Sequence, residues 1–422
     1  MMIKNFLSGN AFAVIRIPNI RFFLGYRFIM TTATLMQSLI VSWQVYSLTN
    51  NVLSLGLIGL TEVIPQICIA LFAGHFADIW DRKAIIKYTT ILLLLSTTIL
   101  MIFSIPSFHC YERYGGIPIY ITIFMTGLVR GILMPAHTAL LGQLVPRELL
   151  ANAATWNSTN WQVAAVTGPA VGGLIYEFYG IIPAYIFVFV LYLLAVVLIL
   201  NVKSERIKPL QIIQEGIFER INEGIRFVFK NQLLLGAFSL DMFAVLFGGA
   251  VALLPVFAKD ILHSGQHGLG LLRASPAIGA IIMSVFLTFY PPLKKTGHYL
   301  FYCITGFGVT MIIFALSTNF YLSVFILILS GCFDCMSVVI RGSILQIFTP
   351  DEMRGRVAAV NSIFIGSSNE LGAFESGVTA KLMGLVNSVI FGGVMTIVVV
   401  VVAAKKAPLL RHLSLSKSIS NR

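Results

Sequence analysis

Ionisable side chains that stand inside otherwise apolar stretches are the residues best placed to do chemistry in this sequence. They are Arg27, Glu62, Arg130, Asp241, Arg273, Asp334, Glu370 and Glu375, with Arg341 near the inner end of another such stretch. Charge is expensive in a bilayer interior, so acids kept there mark proton carriers or ion pathways. Glu370 is the favoured carrier, Asp241 and Glu62 stand next, and Asp334, Glu375 and Arg130 complete the coupling set. Static pairing with a basic residue accounts equally well for Asp334 and Glu62. A second concentration of charge is GHFADIWDRK, residues 74–83, between two long apolar runs. Its carboxylates can meet a helix N-terminus or an arginine and so form a latch that opens and closes. A solvated loop that only fixes topology is the alternative. The chain has no phosphate-binding Gly-x-x-x-x-Gly-Lys-[Ser/Thr] loop, no His-Glu-x-x-His and no Gly-x-Ser-x-Gly, so neither ATP hydrolysis nor enzymatic hydrolysis is expected. No cofactor or metal is expected either. His263 and His267 have helical metal spacing, but Gly265 interrupts them and no carboxylate joins them. The CFDC run at 332–335 lies in an apolar stretch without a second cysteine pair, which favours packing over redox chemistry.

The elements that carry these groups follow from composition. Of 422 residues, 57% are hydrophobic and 11% charged, against about a quarter charged in soluble domains. The apolar runs repeatedly approach the ~20 residues that a bilayer core demands of a helix, which implies an all-α membrane protein. Twelve spans are read, at 20–48, 52–76, 84–107, 117–144, 152–178, 181–202, 232–258, 267–291, 297–316, 319–345, 356–380 and 385–404. Of the 29 Lys and Arg, this map puts three outside (Arg113, Lys259, Lys381), four within spans and 22 in the termini and alternate loops. Both termini are therefore expected to be cytoplasmic by the positive-inside rule, in a plasma membrane and most simply a bacterial inner membrane. The net charge of +12 reports topology and contact with anionic lipid; scattered over loops, it does not suggest a nucleic-acid partner. No apolar core with a small-residue cleavage site precedes the first span, so no signal peptide is expected to be removed.

The chain repeats itself. A shift of 204 residues carries Pro146 to Pro350, Glu148 to Glu352, Asn157 to Asn361, Gly127 to Gly331 and Gly168 to Gly372, and a shift of 211 carries Gly25 to Gly236 and Pro65 to Pro276. Two related six-helix bundles are implied, 1–202 and 232–404, related by a pseudo-twofold axis, with the substrate expected between them near the midplane. The same shifts place Glu62 over Arg273 and Arg130 over Asp334, opposite charges at matched positions that could pair. Joining the bundles, 203–231 holds an amphipathic helix (Ile213, Ile217, Ile221, Ile225, Val228) suited to the inner membrane surface. The tail 405–422 reads as polar, basic and poorly ordered.

The loop at 74–83 resembles the Gly-x-x-x-Asp-plus-basic motif of the major facilitator superfamily, in Gly74, Ala77, Asp78, Arg82 and Lys83. Ile79 and Asp81 depart from the common pattern, and Asp-Arg here is similar to the bacterial exporters that include macrolide efflux pumps and enterobactin exporters. The equivalent loop of the second half, at 290–297, keeps only its lysines. The resemblance implies that Asp78 docks near the start of the eleventh span, by Arg354 and Arg356, and closes an inner gate. TGPAVGGL, at 167–174, resembles the antiporter motif of that superfamily in Gly168, Pro169, Gly172 and Gly173, though a kinked packing helix would look the same. Arg130 resembles a fourth-span arginine linked to proton transfer. Together these imply a monomeric secondary transporter that exports an amphipathic small molecule, drug, macrolide or siderophore-like, by proton antiport through alternating access. The alternatives are an importer or lipid flippase of the same fold, or a non-transporting membrane sensor or assembly protein.

Overall fold

The computed structural model describes residues 13–108, 114–146, 149–204, 217–248, 250–290, 292, 294–350 and 353–415, with backbone alone at 70–79, 108, 151, 217–222, 354–355, 358–359, 362–363 and 367. Twelve long helical segments match the twelve expected spans. They are α1 Pro18–Thr49, α2 Val52–Ile79, α3 Arg82–Phe103, α4 Ile117–Leu144, α5 Leu150–Tyr179, α6 Ile181–Asn201, α7 Gln232–Gly248, α8 Gly265–Phe289, α9 Thr296–Leu316, α10 Phe320–Phe348, α11 Arg354–Met383 and α12 Leu385–Lys406. After α7 the chain continues through a 3-10 turn, Ala250–Leu253, and a π turn, Phe257–Ile261, with Pro255 between them. Ten of these segments are long and apolar enough to cross a membrane. The other two, α5 and α11, have 30 residues each, about 45 Å at 1.5 Å per residue, and carry the glycine-rich repeats.

Short joints hold the helices antiparallel. Gly180 alone separates α5 from α6, and Gly384 alone separates α11 from α12, at φ of 86° and 88°. Only glycine adopts such a backbone without strain, and the two lie at the offset of 204 that relates the halves. Asp81 caps α3, its carboxylate accepting from the Lys83 amide at 3.1 Å, and Asn319 caps α10 through the Leu322 amide at 3.1 Å. Asp81, read from sequence as part of a latch, is thus also a helix cap.

The chain divides into two compact units, residues 1–48 with 64–213, and 49–63 with 214–422. The first buries Tyr26, Met36, Leu39, Ile40, Tyr185 and Tyr192 completely, around α1. Its polar ties also converge on that helix: Thr97 donates to Gln37, Tyr185 donates to Gln44, and Gln44 donates to Ser104. The second unit packs α8 on α10 and α9 on α10 and α12.

At the ends of this unit, the expectation of a poorly ordered tail is corrected as far as residue 415. The linker helix, Ile217–Lys230, meets the unit along one edge, where Val228 is fully buried with Leu234 and Val357 and Gly224 sits against Arg356, while Ile225 and Phe229 stay exposed. The tail is docked as far as residue 415. Leu410, Leu413 and Leu415 are buried, and the Gly297 amide donates to the Leu413 carbonyl at 3.0 Å. Three leucines at short spacing outweigh the basic character of the segment, because burying each contributes about 1.5–3 kcal/mol.

Candidate functional site: two polar clusters, one in each unit

The first unit holds a buried relay that begins on α1. Arg27 donates from Nη1 to His137 Nδ1 of α4 at 2.5 Å and from Nε to Asn157 Oδ1 of α5 at 3.1 Å. His137 Nε2 lies 2.9 Å from the Tyr26 hydroxyl, which lies 3.1 Å from Thr90 Oγ1 of α3. Thr90 donates to the Ile86 carbonyl at 2.7 Å. Tyr26 and Thr90 are fully buried, and His137 nearly so. One arrangement of protons satisfies every contact. A guanidinium only donates, so His137 Nδ1 must accept, and the neutral imidazole carries its proton on Nε2. That proton goes to Tyr26, the tyrosyl proton goes to Thr90, and the threonyl proton goes to Ile86. The sequence reading selected Arg27 but neither His137 nor Tyr26. The repeat held the missing signal, since the offset of 204 carries His137 onto Arg341.

The antiporter-type motif is seated against the same helix. A Cβ on Gly168 would lie 2.9 Å from the Thr32 carbonyl oxygen, and one on Gly172 would lie 2.7 Å from Met36 Cγ. The glycines Gly168 and Gly172 bring α5 onto α1, with Pro169 inside the helix and Gly173 buried beside them. Asn160, one helical turn beyond Asn157, donates to the Leu24 carbonyl at 2.9 Å. Gly168→Ala should therefore push the two helices apart, with a cost near the ~1–3 kcal/mol of core overpacking. A thermal unfolding scan in detergent checks this; an unchanged midpoint would refute the contact.

In the second unit Asp241 of α7 forms a buried salt bridge with Arg341 of α10, and Arg341 Nε donates to Ser337 at 3.3 Å. Arg341 is thus a core residue of α10. Asp334 is exposed, one turn from Ser337, and lines one recess with Asp241, Ala244, Phe307 and Phe333. Its electrostatic neighbours are Asp241 and Arg341. Glu370 of α11 stands under α2: a Cβ on Gly59 would lie 3.4 Å from Glu370 Oε2 and 2.9 Å from its carbonyl oxygen. One turn away Gly56 meets Gly377. Arg273 of α8 is the basic neighbour of Glu370. Glu62, Arg130, Arg273 and Glu370 all engage partners. Glu375 is half-buried further along α11, with its carboxyl at Ser376.

For the latch residues, the side chains of Asp78 and Arg354 and the surroundings of Gly74 lie outside the described residues. Arg356 pairs with Glu223 of the linker helix at 2.5 Å, a partner that the sequence reading did not select. Lys83 Nζ donates to the Leu200 carbonyl at 3.0 Å. The CFDC thiols pack on α8, Cys332 against the Gly279 carbonyl and Cys335 against Ser284. Among the described residues no three His, Cys, Asp or Glu side chains form a metal cluster.

Comparison with known proteins gives these clusters a context. The family model described as a transmembrane secretion effector matches residues 9–421. A staphyloferrin A transporter of Staphylococcus aureus is 22% identical over 395 residues, covering 90% of this chain and 94% of that protein. A Na(+), Li(+), K(+)/H(+) antiporter of Planococcus maritimus is 19% identical over 341 residues, covering 73% and 78%. Among solved structures, a D-xylose-proton symporter superposes with a TM-score of 0.74 at 14% identity, over 95% of this chain and all of that one, a likeness of fold.

Proposed function

We propose that this chain, which belongs to the transmembrane secretion effector family of major facilitator transporters, exports an amphipathic small molecule from the cytoplasm in exchange for protons. It is a multi-pass membrane transporter and not an enzyme. The observation that carries the coupling half of the reading is the position of Glu370. Its carboxylate lies at a glycine contact between α2 and α11, beside Arg273. At such a contact, gaining or losing one charge changes how tightly two helices close. A siderophore of the staphyloferrin type is the substrate class to try first, since a relative carries it, and proton exchange has a parallel in the antiporter relative. In this reading both termini face the cytoplasm of a bacterial inner membrane. The 74–83 loop, with Asp78, Arg82 and Lys83, latches against Arg354 and Arg356 when the cavity faces outward.

The test uses inside-out vesicles with an imposed pH gradient and labelled staphyloferrin A and macrolide. Uptake that collapses with a protonophore is expected. Glu370→Gln, which mimics the protonated acid, should abolish gradient-driven uptake and preserve substrate exchange at equal pH. If Asp241→Asn or Glu375→Gln gives that split and Glu370→Gln is harmless, Glu370 is not the carrier. Uptake that survives the protonophore and stops without sodium removes the proton from the scheme.

A further inference from the structure

The charges of the two units are segregated in a way that the export reading does not use. Among the described residues of the first unit the acids are Asp78, Asp81 and Glu177, and each lies at or near a helix end; Glu112, Glu148 and Glu205 lie outside the described residues. Arg27 and Arg130 stand within its helices. Away from the helix ends, the spanning helices of the second unit carry the acids Glu62, Asp241, Asp334, Glu370 and Glu375, against Arg273 and Arg341.

Arg27 is the informative cation. Its hydrogen bonds, to His137 Nδ1 and Asn157 Oδ1, both go to neutral acceptors, and no carboxylate pairs with it among the described residues. The imidazole cannot balance its charge, because accepting from Arg27 requires His137 to be neutral. Arg27 is only partly buried, and among the described residues its Nη2 has no hydrogen-bond partner and is not one of the buried polar atoms left unsatisfied. Of its five N–H donors two are spent on fixing the guanidinium, and the rest remain for another group. A membrane-embedded cation without a counter-charge is costly. Held rigidly by two neutral ligands with its outer edge open, it matches an anionic oxygen group, for which guanidinium geometry is best suited.

We infer that Arg27 is the anion-binding residue of a solute site in the first unit, oriented by His137 and Asn157, and that the transported molecule carries a carboxylate or phosphate there. This rests on the reading of the chain as a small-molecule transporter. Binding is measured at equilibrium without a gradient, so its outcome is independent of transport direction and coupling ion.

The probes are citrate and inorganic phosphate, added to the full chain in nanodiscs of neutral phosphatidylcholine, with binding read by calorimetry. Saturable binding of at least one of them is expected, weakened at least tenfold in Arg27→Gln and less in Arg27→Lys. Asn157→Asp is the second variant. It is nearly isosteric and places a carboxylate on Arg27, so it should abolish anion binding while leaving the unfolding temperature equal or higher. A purely structural role for Arg27 predicts no such loss. Absence of saturable binding by both anions overturns the inference, as does wild-type affinity in Asn157→Asp. If neither anion binds and phosphatidylglycerol alone stabilises the wild-type chain in an Arg27-dependent way, the residue holds a lipid headgroup and the solute site is refuted.

Discussion

Asp241→Ala should be among the most damaging single substitutions in the chain, because it leaves the Arg341 guanidinium, 6% exposed, without its salt-bridge partner. Removing one member of a buried pair costs about 3–5 kcal/mol, since the remaining charge has lost its compensation. The expected signs are low yield and a much lower unfolding temperature in detergent. Asp241→Asn keeps an acceptor for Arg341 and should fall between alanine and wild type. The paired replacement Asp241→Leu with Arg341→Met removes both charges, and it should recover most of the lost stability. Transport by that double variant then separates two roles. Recovery of both folding and transport would make the pair structural; recovery of folding alone would assign Asp241 to the transport cycle. A wild-type unfolding temperature in Asp241→Ala, within the ~0.5 kcal/mol of a neutral surface change, would show that the pair does not form.

Gly331→Ala is expected to be at least as severe. A Cβ at that position would lie 1.9 Å from the Pro276 carbonyl oxygen and 2.6 Å from its carbonyl carbon and Cα, so backbone rather than a movable side chain blocks it. The reciprocal contact is as close, with a Cβ on Gly279 1.9 Å from the Ile328 carbonyl oxygen. Glycines at such crossings let helix backbones touch, and here they hold α8 against α10. Separating the pair also moves Cys332, Asp334 and Ser337 away from their neighbours, so the cost should exceed the usual ~1–3 kcal/mol of overpacking. Expression in membranes and the midpoint of thermal aggregation measure this. Gly342→Ala, where nothing lies within 4 Å of the added carbon, is the control on the same helix and should behave as wild type.

The span map was legible because the bilayer imposes a length on every crossing helix. Among the described residues, ten of the twelve helices are long and apolar enough to cross by that measure. The more polar α5 and α11 were nevertheless read as spans from their apolar runs, and the internal repeat pairs them, since Asn157, Gly168 and Gly180 recur as Asn361, Gly372 and Gly384. Selecting intramembrane charge brought Asp241, Arg341 and Arg27 into view, but not who meets whom. Opposite charges at matched positions pointed to Glu62 with Arg273 and Arg130 with Asp334; the salt bridge between Asp241 and Arg341, within one half, was not among these pairings. His137 was passed over because a lone histidine on an apolar helix is marked only by its match to Arg341 in the repeat, and its role appears once α1 places Arg27 and Tyr26 on either side of its ring. The docked tail was missed for a related reason. Its leucines look unremarkable among basic residues, and only the Gly297 backbone, too close to the Leu410 carbonyl to admit a side chain, shows where they fit.

The relay from Arg27 to Ile86 also limits where protons can travel. Each donor in it points the same way, and the last hydrogen is given to a main-chain carbonyl already inside α3. A peptide oxygen that accepts this hydrogen has none to pass on, so the chain is a cul-de-sac rather than a conduit through the bundle. Among the described residues the relay gives His137 no exit beyond Tyr26, Thr90 and Ile86, and an anion resting on the Arg27 guanidinium would lie at the open end of that chain.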